Sequence, residues 1–356
     1  MLSVRTCRLS QKIIQIPKKV PITAVGKPDC DEYDAYVAVG DFSSCADLQH
    51  DFLVKTATLG EKVNTSLYKR GASLLASPSG QRVVISPVGS LTRCEDDVRR
   101  FFDAADEGVS AAVKAGSSKP MVLIYPTLDK SLFVSILGAA KAVYTNYECR
   151  LVGKSHKATA LGVWAKAENT EEVVKTAMIV EESKIVCRDL LGSDPETMNP
   201  LNFTNYCEAL FGNLETTSVM YSSVSGPELL LKEYPCMAAV DRACKHIERH
   251  RARAIWLDYT DGKPERTIVL IGKGLTYDTG GADIKAGGAM AGMHRDKGGA
   301  SAVAGFMHAI NRLKPKNIKI VAGLAVCRNS IGSEAYLPDE IITGSFIAYF
   351  LISKIF

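Results

Sequence analysis

Short β-rich runs alternate with helical segments between residues 30 and 165, and this alternation constrains the fold more than any other feature of the chain. The helical segments place apolar residues three and four positions apart, whereas the runs between them are rich in valine, isoleucine and aromatic residues. Strands separated by helices of this length favour a layered α/β fold. The expected strands are residues 33–40, 82–88, 121–125 and 158–165, and the expected helices are residues 95–116 and 132–147.

The second half of the chain follows a long helical stretch, residues 169–192, which ends at Gly192 before a Ser-Asp-Pro turn. We therefore predict an N-terminal α/β domain over residues 1–168, a linking helix over 169–192 and a second α/β domain from residue 193. Further helices are expected at residues 201–211, 238–251 and 300–311, with strands at 254–259, 267–271 and 318–326.

Charge and cysteine usage narrow the classes of function. The net charge of +4 over 356 residues, without a long basic run, argues against nucleic acid as the main partner. The ten cysteines contain no C-x-x-C pair of the kind that holds zinc or performs redox chemistry. We expect reduced cysteines in a reducing compartment, and cytoplasmic localisation is the prediction.

The two ends of the chain differ from the rest in composition. Residues 1–28 contain six Lys or Arg and no acid, which is typical of a mitochondrial transit peptide but fits a strand and turn equally well. The apolar tail, residues 345–356, is shorter than the roughly 20 residues that a membrane-spanning helix needs. We therefore expect no membrane partner.

The most informative motif extends from Gly272 to Gly299 and contains three lysines and three aspartates among glycines. Carboxylates such as Asp278 and Asp296 are ligands for zinc, manganese and magnesium. A buried lysine at position 273 with a lowered pKa could add an amine ligand, and Lys285 could stabilise an oxyanion. Two nearby ions could together activate water for hydrolysis.

Nucleotide binding is the alternative reading of a glycine-rich loop that follows a strand, but both phosphate-binding patterns fail. A Walker A loop requires glycine five residues before the Gly272-Lys273 pair, where Thr267 stands, and Ser or Thr after the lysine, where Gly274 stands. A dinucleotide loop requires glycine at the position of Tyr277.

The motif resembles the signature of the leucyl (cytosol) aminopeptidase family: G-K-G-x-x-[FY]-D-[ST]-G-G, then x-x-[IL]-K, then [KR]-x-D-[MC]-G-G-A. Here the first element is Gly272 to Gly281 and the second is Asp283-Ile-Lys285. The third is Met293-His-Arg-Asp-Lys-Gly-Gly-Ala300. The branch called probable aminopeptidase-like is the most similar. The resemblance implies a C-terminal α/β metallopeptidase domain with a mixed sheet.

The same resemblance assigns roles to the four charged residues. Lys273, Asp278 and Asp296 would be metal ligands for two divalent ions, Zn or Mn, with Asp278 shared between them. Lys285 would be the catalytic residue that binds the substrate carbonyl and the developing oxyanion. The attacking group in the family is water activated by the metals, the substrates are peptides that lose their N-terminal residue, and the assembly is a homohexamer.

The chain departs from the family pattern in two places. It contains no Asn-Thr-Asp-Ala-Glu-Gly-Arg element, whose acids complete the metal shell in the family, and Cys327-Arg328 replaces the usual Ala-Glu. Residues 193–344 are therefore expected to be a partial catalytic domain in a truncated form, inactive by itself, followed by a non-family tail at 345–356. The alternative is a non-catalytic interaction or regulatory protein that retains part of the fold.

Three histidines are further candidates for metal binding. His246 and His250 are one helical turn apart in the expected helix 238–251, but the zincin pattern needs Glu directly after the first His. A solvated helix face is the better interpretation. His294 lies within the motif, and we expect it at the surface or behind the ligands.

Overall fold

The computed structural model describes residues 20–344 and 349–351. Most of the basic segment 1–28 and most of the apolar tail 345–356 lie outside the described residues. The chain forms two compact units. The N-terminal unit comprises Lys19–Thr145 with Val152–Ile185, and the C-terminal unit comprises Asn146–Leu151 with the described residues from Val186 onward.

The N-terminal unit is built on a six-stranded sheet flanked by helices. Its strands are β1 (Ile22–Ala24), β2 (Ala35–Gly40), β3 (Ser73–Ala76), β4 (Arg82–Pro87), β5 (Pro120–Tyr125) and β6 (Leu161–Ala165), and its helices are α1 (Asp51–Glu61), α2 (Arg99–Lys114) and α3 (Ser131–Ala142). The strand order is β1-β6-β5-β2-β4-β3. All neighbouring pairs are parallel except β3 with β4, which is antiparallel.

Helices cover both faces of this sheet because side chains alternate between the faces along each strand. Val37 and Val39 of β2 belong to the apolar cluster that includes residues of α2 and α3. Tyr36 and Ala38 belong to a second cluster, which includes Leu53 of α1. The result is the layered α/β arrangement that the alternation of strands and helices predicts.

Two helices connect the sequence of one unit with that of the other. The short helix α4 (Tyr147–Leu151) belongs to the C-terminal unit. The long helix α5 (Thr170–Gly192) contributes its first residues to the N-terminal unit and, from Val186, its last residues to the C-terminal unit.

The C-terminal unit contains a four-stranded mixed sheet, as the family resemblance implies. Its strands are β7 (Val219–Ser225), β8 (Arg253–Asp261), β9 (Arg266–Asp278) and β10 (Ile318–Asn329), and its further helices are α6 (Pro200–Phe211), α7 (Pro227–Glu233), α8 (Pro235–Asp241) and α9 (Gly298–Leu313). The order is β7-β8-β10-β9, with β10 antiparallel to β8 and parallel to β9. A separate antiparallel pair joins β11 (Ile341–Thr343) and β12 (Tyr349–Leu351).

The core of this unit lies between the sheet and two helices. Phe203 and Tyr206 of α6 and Met307 of α9 pack in one apolar cluster with Leu257 of β8 and Leu324 of β10. All five side chains are almost completely buried. This packing fixes α9 against the sheet and so determines where its N-terminal end lies.

The expected helix 238–251 is wrong, because the helical part, α8, ends at Asp241. The buried carboxylate of Asp241 accepts a hydrogen bond from the Ala252 N–H (2.8 Å), so the chain folds back instead of continuing as a helix. Other helix limits differ less: α2 begins at Arg99 rather than at residue 95, and α3 ends at Ala142 rather than at residue 147.

The apolar run 267–271 is typical of a buried strand, but the strand that leads into the motif is not buried along its whole length. β9 is an edge strand, and its residues Arg266 to Val269 are exposed. From Gly272 to Asp278, where the strand ends, buried residues alternate with exposed or half-buried ones. Within residues 20–344 and 349–351, no helix has both the length and the apolar character needed to cross a bilayer.

Candidate metal centre

The four charged residues to which the family resemblance assigns roles meet in two pairs where β9 ends beside the start of α9. Nζ of Lys285 lies 3.1 Å from Oδ2 of Asp278, and Nζ of Lys273 lies 3.5 Å from Oδ2 of Asp296. The two carboxylates are close enough for the charge of Asp278 to raise the pKa of Asp296. Residues that are up to 23 positions apart in sequence therefore form one cluster.

Asp278 is buried at the carboxyl end of β9, and three donors hold its carboxylate. Oδ1 accepts hydrogen bonds from the Gly280 N–H (3.0 Å) and from Nδ2 of Asn329 (2.6 Å), and Lys285 contacts Oδ2. Burial alone would raise the pKa of Asp278, but these hydrogen bonds and the Lys285 charge outweigh it and hold the pKa below its usual value. The group is therefore a carboxylate near neutral pH.

Asp296 has the opposite shift. Burial raises the pKa of Asp296, and the charge of Asp278 raises it further, whereas Lys273 lowers it. Two adjacent carboxylates with only partial compensation form a site that favours a cation, because a positive charge between them would relieve their repulsion. Lys273 does not supply full compensation, since its side chain is 62% exposed rather than buried as the sequence suggested.

A tight turn returns Lys285 to the end of β9. The Lys285 N–H donates to the Thr279 carbonyl (2.9 Å), and Oγ1 of Thr279 donates to the Asn329 carbonyl (3.1 Å). Gly280 and Gly281 have φ values of 93° and 80°, a region that favours glycine. A methyl group on Gly280 would lie 2.4 Å from the Asp283 carbonyl oxygen, so this turn requires glycine there.

Asn329 and Tyr336 belong to the cluster, but the sequence did not predict them as site residues. Asn329 is the register partner of Asp278 at the end of β10, and its Nδ2 also donates to the Tyr336 hydroxyl (3.1 Å). Oδ1 of Asn329 is buried and accepts no hydrogen bond within the described residues. The pairing of Asn329 with Asp278 depends on strand register, which the local sequence does not report.

Residues 185–346 match the sequence model described as the cytosol aminopeptidase family, catalytic domain. This range contains all four charged residues of the cluster. Residues 185–346 belong to the cytosol aminopeptidase family. The resemblance that the motif carries is therefore confirmed.

Relatives of this family cover most of the chain. An aminopeptidase-type protein of Caenorhabditis elegans is 38% identical over 320 residues, which make up 88% of this chain and 59% of the relative. A probable cytosol aminopeptidase of Helicobacter hepaticus is 31% identical over 220 residues, or 60% of this chain and 44% of the relative. The chain therefore spans only part of the length of either relative.

Solved structures of aminopeptidases share the fold. A leucyl aminopeptidase from Leishmania major, in complex with actinonin, superposes with a TM-score of 0.73 at 20% identity, over 93% of this chain and 65% of that protein. The bottromycin maturation enzyme BotP, in complex with Mn, gives 0.71 at 18% identity, over 89% and 64%. These similarities establish the α/β architecture with its mixed sheets.

The donor set of the cluster fits part of a cytosol aminopeptidase metal shell. Asp278 and Asp296 present adjacent carboxylates, and Asn329 adds a buried amide oxygen that lacks a partner among the described residues. Within residues 20–344 and 349–351, however, no three His, Cys, Asp or Glu side chains gather around one point. Hard divalent ions prefer such oxygen donors, so the residues are suited to a cation but do not surround it.

His250 and Arg328 have a structural role away from the cluster. His250 is buried, not part of a solvated helix face, and its Nε2 lies 2.9 Å from Oε1 of Glu196. Arg328, which replaces the usual Glu of the family, donates to the same carboxylate (2.6 Å). Arg249 contacts the other oxygen, Oε2, at 2.9 Å. The positive charge of Arg328, where the family has Glu, is therefore compensated by Glu196 of the same unit.

Proposed function

We propose that the C-terminal unit is the catalytic portion of a metal-dependent aminopeptidase, which removes N-terminal residues from peptides by activating water. The observation that carries the proposal is the pair of adjacent carboxylates, Asp278 and Asp296, each flanked by a lysine, in a domain of the cytosol aminopeptidase family. A divalent cation between the two carboxylates would relieve the repulsion that the lysines compensate only in part.

Asp278 and Asp296 would hold a divalent ion, Zn or Mn, with Lys273 beside them as a further ligand. Asp278 is suited to be shared between two ions, because three hydrogen-bond donors keep it ionised and orient it. A bound ion would supply Lewis acidity, polarising the substrate carbonyl and acidifying a water molecule. Manganese gains support from BotP, the structural relative in complex with Mn.

Lys285 would bind the substrate carbonyl oxygen and stabilise the negative charge that develops on it. Its ammonium group is 3.1 Å from Asp278 and partly exposed, so it is close to the proposed ion and accessible to a substrate. A cation aimed at the developing charge acts most strongly in the transition state, which makes Lys285 a catalytic residue rather than a ligand.

The 356 residues supply only part of the ligand set that the family resemblance implies. We propose that residues 1–356 by themselves hold at most one of the two ions firmly and are inactive. A second candidate function is a non-catalytic interaction or regulatory protein. It is favoured by the lack of any group of three acidic, His or Cys side chains within the described residues.

The remaining parts of the proposal follow from the family. The substrates are peptides, the assembly is a homohexamer, and the location is the cytoplasm, in line with relatives named cytosol aminopeptidases. Neither nucleic acid nor membrane is proposed as a partner.

The proposal is tested by metal binding with matched variants. Purified residues 1–356 are titrated with Mn²⁺ by calorimetry, next to Asp278→Asn and the control Asp339→Asn. Asp339 is exposed and has a positive φ of 68°, which asparagine tolerates well. We expect binding in the parent and the control but not in Asp278→Asn. Equal binding by all three proteins would refute the metal centre, and turnover of a leucyl amide by residues 1–356 would refute inactivity.

A further inference from the structure

Lys297 is completely buried, with 0% of its surface exposed, although lysine is rarely buried without a specific partner. Its Nζ donates to the carbonyl of Ser193 (2.9 Å), just after the end of α5, and to the carbonyl of His294. All three residues belong to the C-terminal unit. One ammonium group thus ties two segments of this unit together that are about a hundred residues apart in sequence.

Two carboxylates lie close enough to this ammonium group to favour its charged form. Burial lowers the pKa of Lys297 to about 8, while Asp194 and Glu148 oppose that shift. Glu148 is held in turn, because its Oε1 accepts a hydrogen bond from the Asp194 N–H (2.6 Å). A buried cation with two carboxylates and two carbonyl acceptors is an organised site rather than a trapped side chain.

The segment that Lys297 holds is the one that carries Asp296. The short 3-10 helix Met293–Arg295 directly precedes Asp296, whose N–H donates to the Met293 carbonyl (3.2 Å). The backbone hydrogen bonds of residues 286–296 are otherwise local turns. Within the described residues, two side chains bond to this backbone: Tyr277 at the Met290 carbonyl (3.1 Å) and Lys297 at His294.

The segment before Asp296 contains several glycines, and their flexible backbone needs a contact that holds it in place. Gly287, Gly288 and Gly292 all have positive φ values, and the first two would meet nothing within 4 Å if they carried a methyl group. Their backbone is therefore little restricted by packing, and glycine loses more conformational entropy on ordering than other residues. Without the Lys297 anchor, the turn before Asp296 would be free to move.

We infer that Lys297 is a positioning residue, which fixes the turn Met293–Arg295 against the end of α5 and so orients the Asp296 carboxylate. The effect on metal binding rests on the proposed function, whereas the effect on the turn does not. The family pattern has Met or Cys where Lys297 stands, so a methionine side chain is compatible with this position in related folds.

Hydrogen exchange with mass spectrometry tests this inference on residues 1–356. Lys297→Met should speed exchange in peptides from residues 286–296 by about tenfold or more, with peptides from β10 unchanged. Its apparent Kd for Mn²⁺ should rise roughly 10- to 100-fold, the usual effect of losing a residue that orients a ligand. Lys316→Met, which removes an exposed lysine paired with Asp261, is the matched control.

Lys297→Met alone leaves Asp194 and Glu148 without their cation. The double variant Lys297→Met with Glu148→Gln removes one of these carboxylates. This double variant replaces the single one in the experiment if Lys297→Met does not fold. Faster exchange confined to 286–296 in either variant supports the inference. Uniformly faster exchange across the C-terminal unit, or unchanged exchange in residues 286–296, overturns the inference. If the parent chain binds no Mn²⁺ while the confined change is seen, the metal proposal fails and the positioning of the turn stands.

Discussion

A methyl group on Gly272 would lie 2.6 Å from the Cα atom of Ala300, closer than carbon atoms approach without displacement. The backbone of β9 therefore touches the start of α9 directly. This contact brings Lys273, the next residue along β9, to the loop that carries Asp296. Nζ of Lys273 lies 3.5 Å from Oδ2 of Asp296, a distance that the close approach at Gly272 permits.

Replacing Gly272 with alanine should separate β9 from α9. We expect the free energy of unfolding to fall by about 1–3 kcal/mol, the usual cost of overpacking, and Mn²⁺ affinity to fall with it. Denaturant unfolding and calorimetry measure the two effects. Gly192→Ala is the control, because a methyl group there meets nothing within 4 Å and the residue ends a helix. A Gly272→Ala protein as stable as this control would contradict the close contact.

The alternation of strands and helices was readable from the sequence because apolar spacing reports which face of an element is buried. It predicted β2, β4, β5 and β6, and it predicted α5 to within one residue of Thr170–Gly192. The spacing could not predict that α8 stops at Asp241. That limit depends on a hydrogen bond between Asp241 and Ala252, which pattern alone does not report.

Lys285→Met should lower turnover without removing metal, when measured in a form of the enzyme that is active. The loss of one donor to the developing oxyanion costs about 2.7–4 kcal/mol in the barrier, which corresponds to a fall of roughly 10²–10³ in kcat. Metal content by mass spectrometry and kcat on a leucyl amide are measured together. Lys263→Met, an exposed lysine in the same unit, is the control. If Lys285→Met lost its metal instead, Lys285 would belong to the ligand shell.

Glu196 should make the fold sensitive to acid. Burial would raise the pKa of Glu196, but Arg249, Arg328 and His250 outweigh it and lower the pKa to about 2. Because the ordinary value is about 4.3, the folded state binds fewer protons than the unfolded state between these two values. The stabilisation is therefore complete above about pH 4.3 and is lost as the pH falls towards 2.

The Glu196→Gln variant tests this pH dependence. Its stability, followed by circular dichroism, should vary less than that of the parent between about pH 4.3 and 2. Since the Glu196 side chain is 47% exposed, the difference should shrink in about 1 M salt. Glu265→Gln, an exposed acid on the same unit, should behave like the parent. Parallel curves for Glu196→Gln and the parent would show that Arg249, Arg328 and His250 do not stabilise the carboxylate.

The candidate site was predictable only where the motif itself names the residue. Lys273, Asp278, Lys285 and Asp296 stand in the motif, and the structure brings them together as proposed ligands and catalytic residue. Asn329 joins them through the register of two parallel strands, and Lys297 supports them through a contact with Ser193, about a hundred positions away. Such relationships depend on tertiary packing, which local spacing does not encode.

Metal stoichiometry separates the proposed function from its alternative. Residues 1–356 should bind no more than one Mn²⁺ or Zn²⁺ per chain, because Asp278 and Asp296 can serve one ion together but Asp278 alone cannot hold a second against water. We expect no turnover of a leucyl amide. Metal content after dialysis and equilibrium titration measure the stoichiometry. Asp296→Asn should reduce it to zero while leaving the thermal midpoint nearly unchanged, since Asp296 is only half-buried.

Two ions per chain would mean that other side chains complete the shell, with His294 the first to replace. No ion at all, in the parent as in Asp296→Asn, would favour the non-catalytic interaction protein.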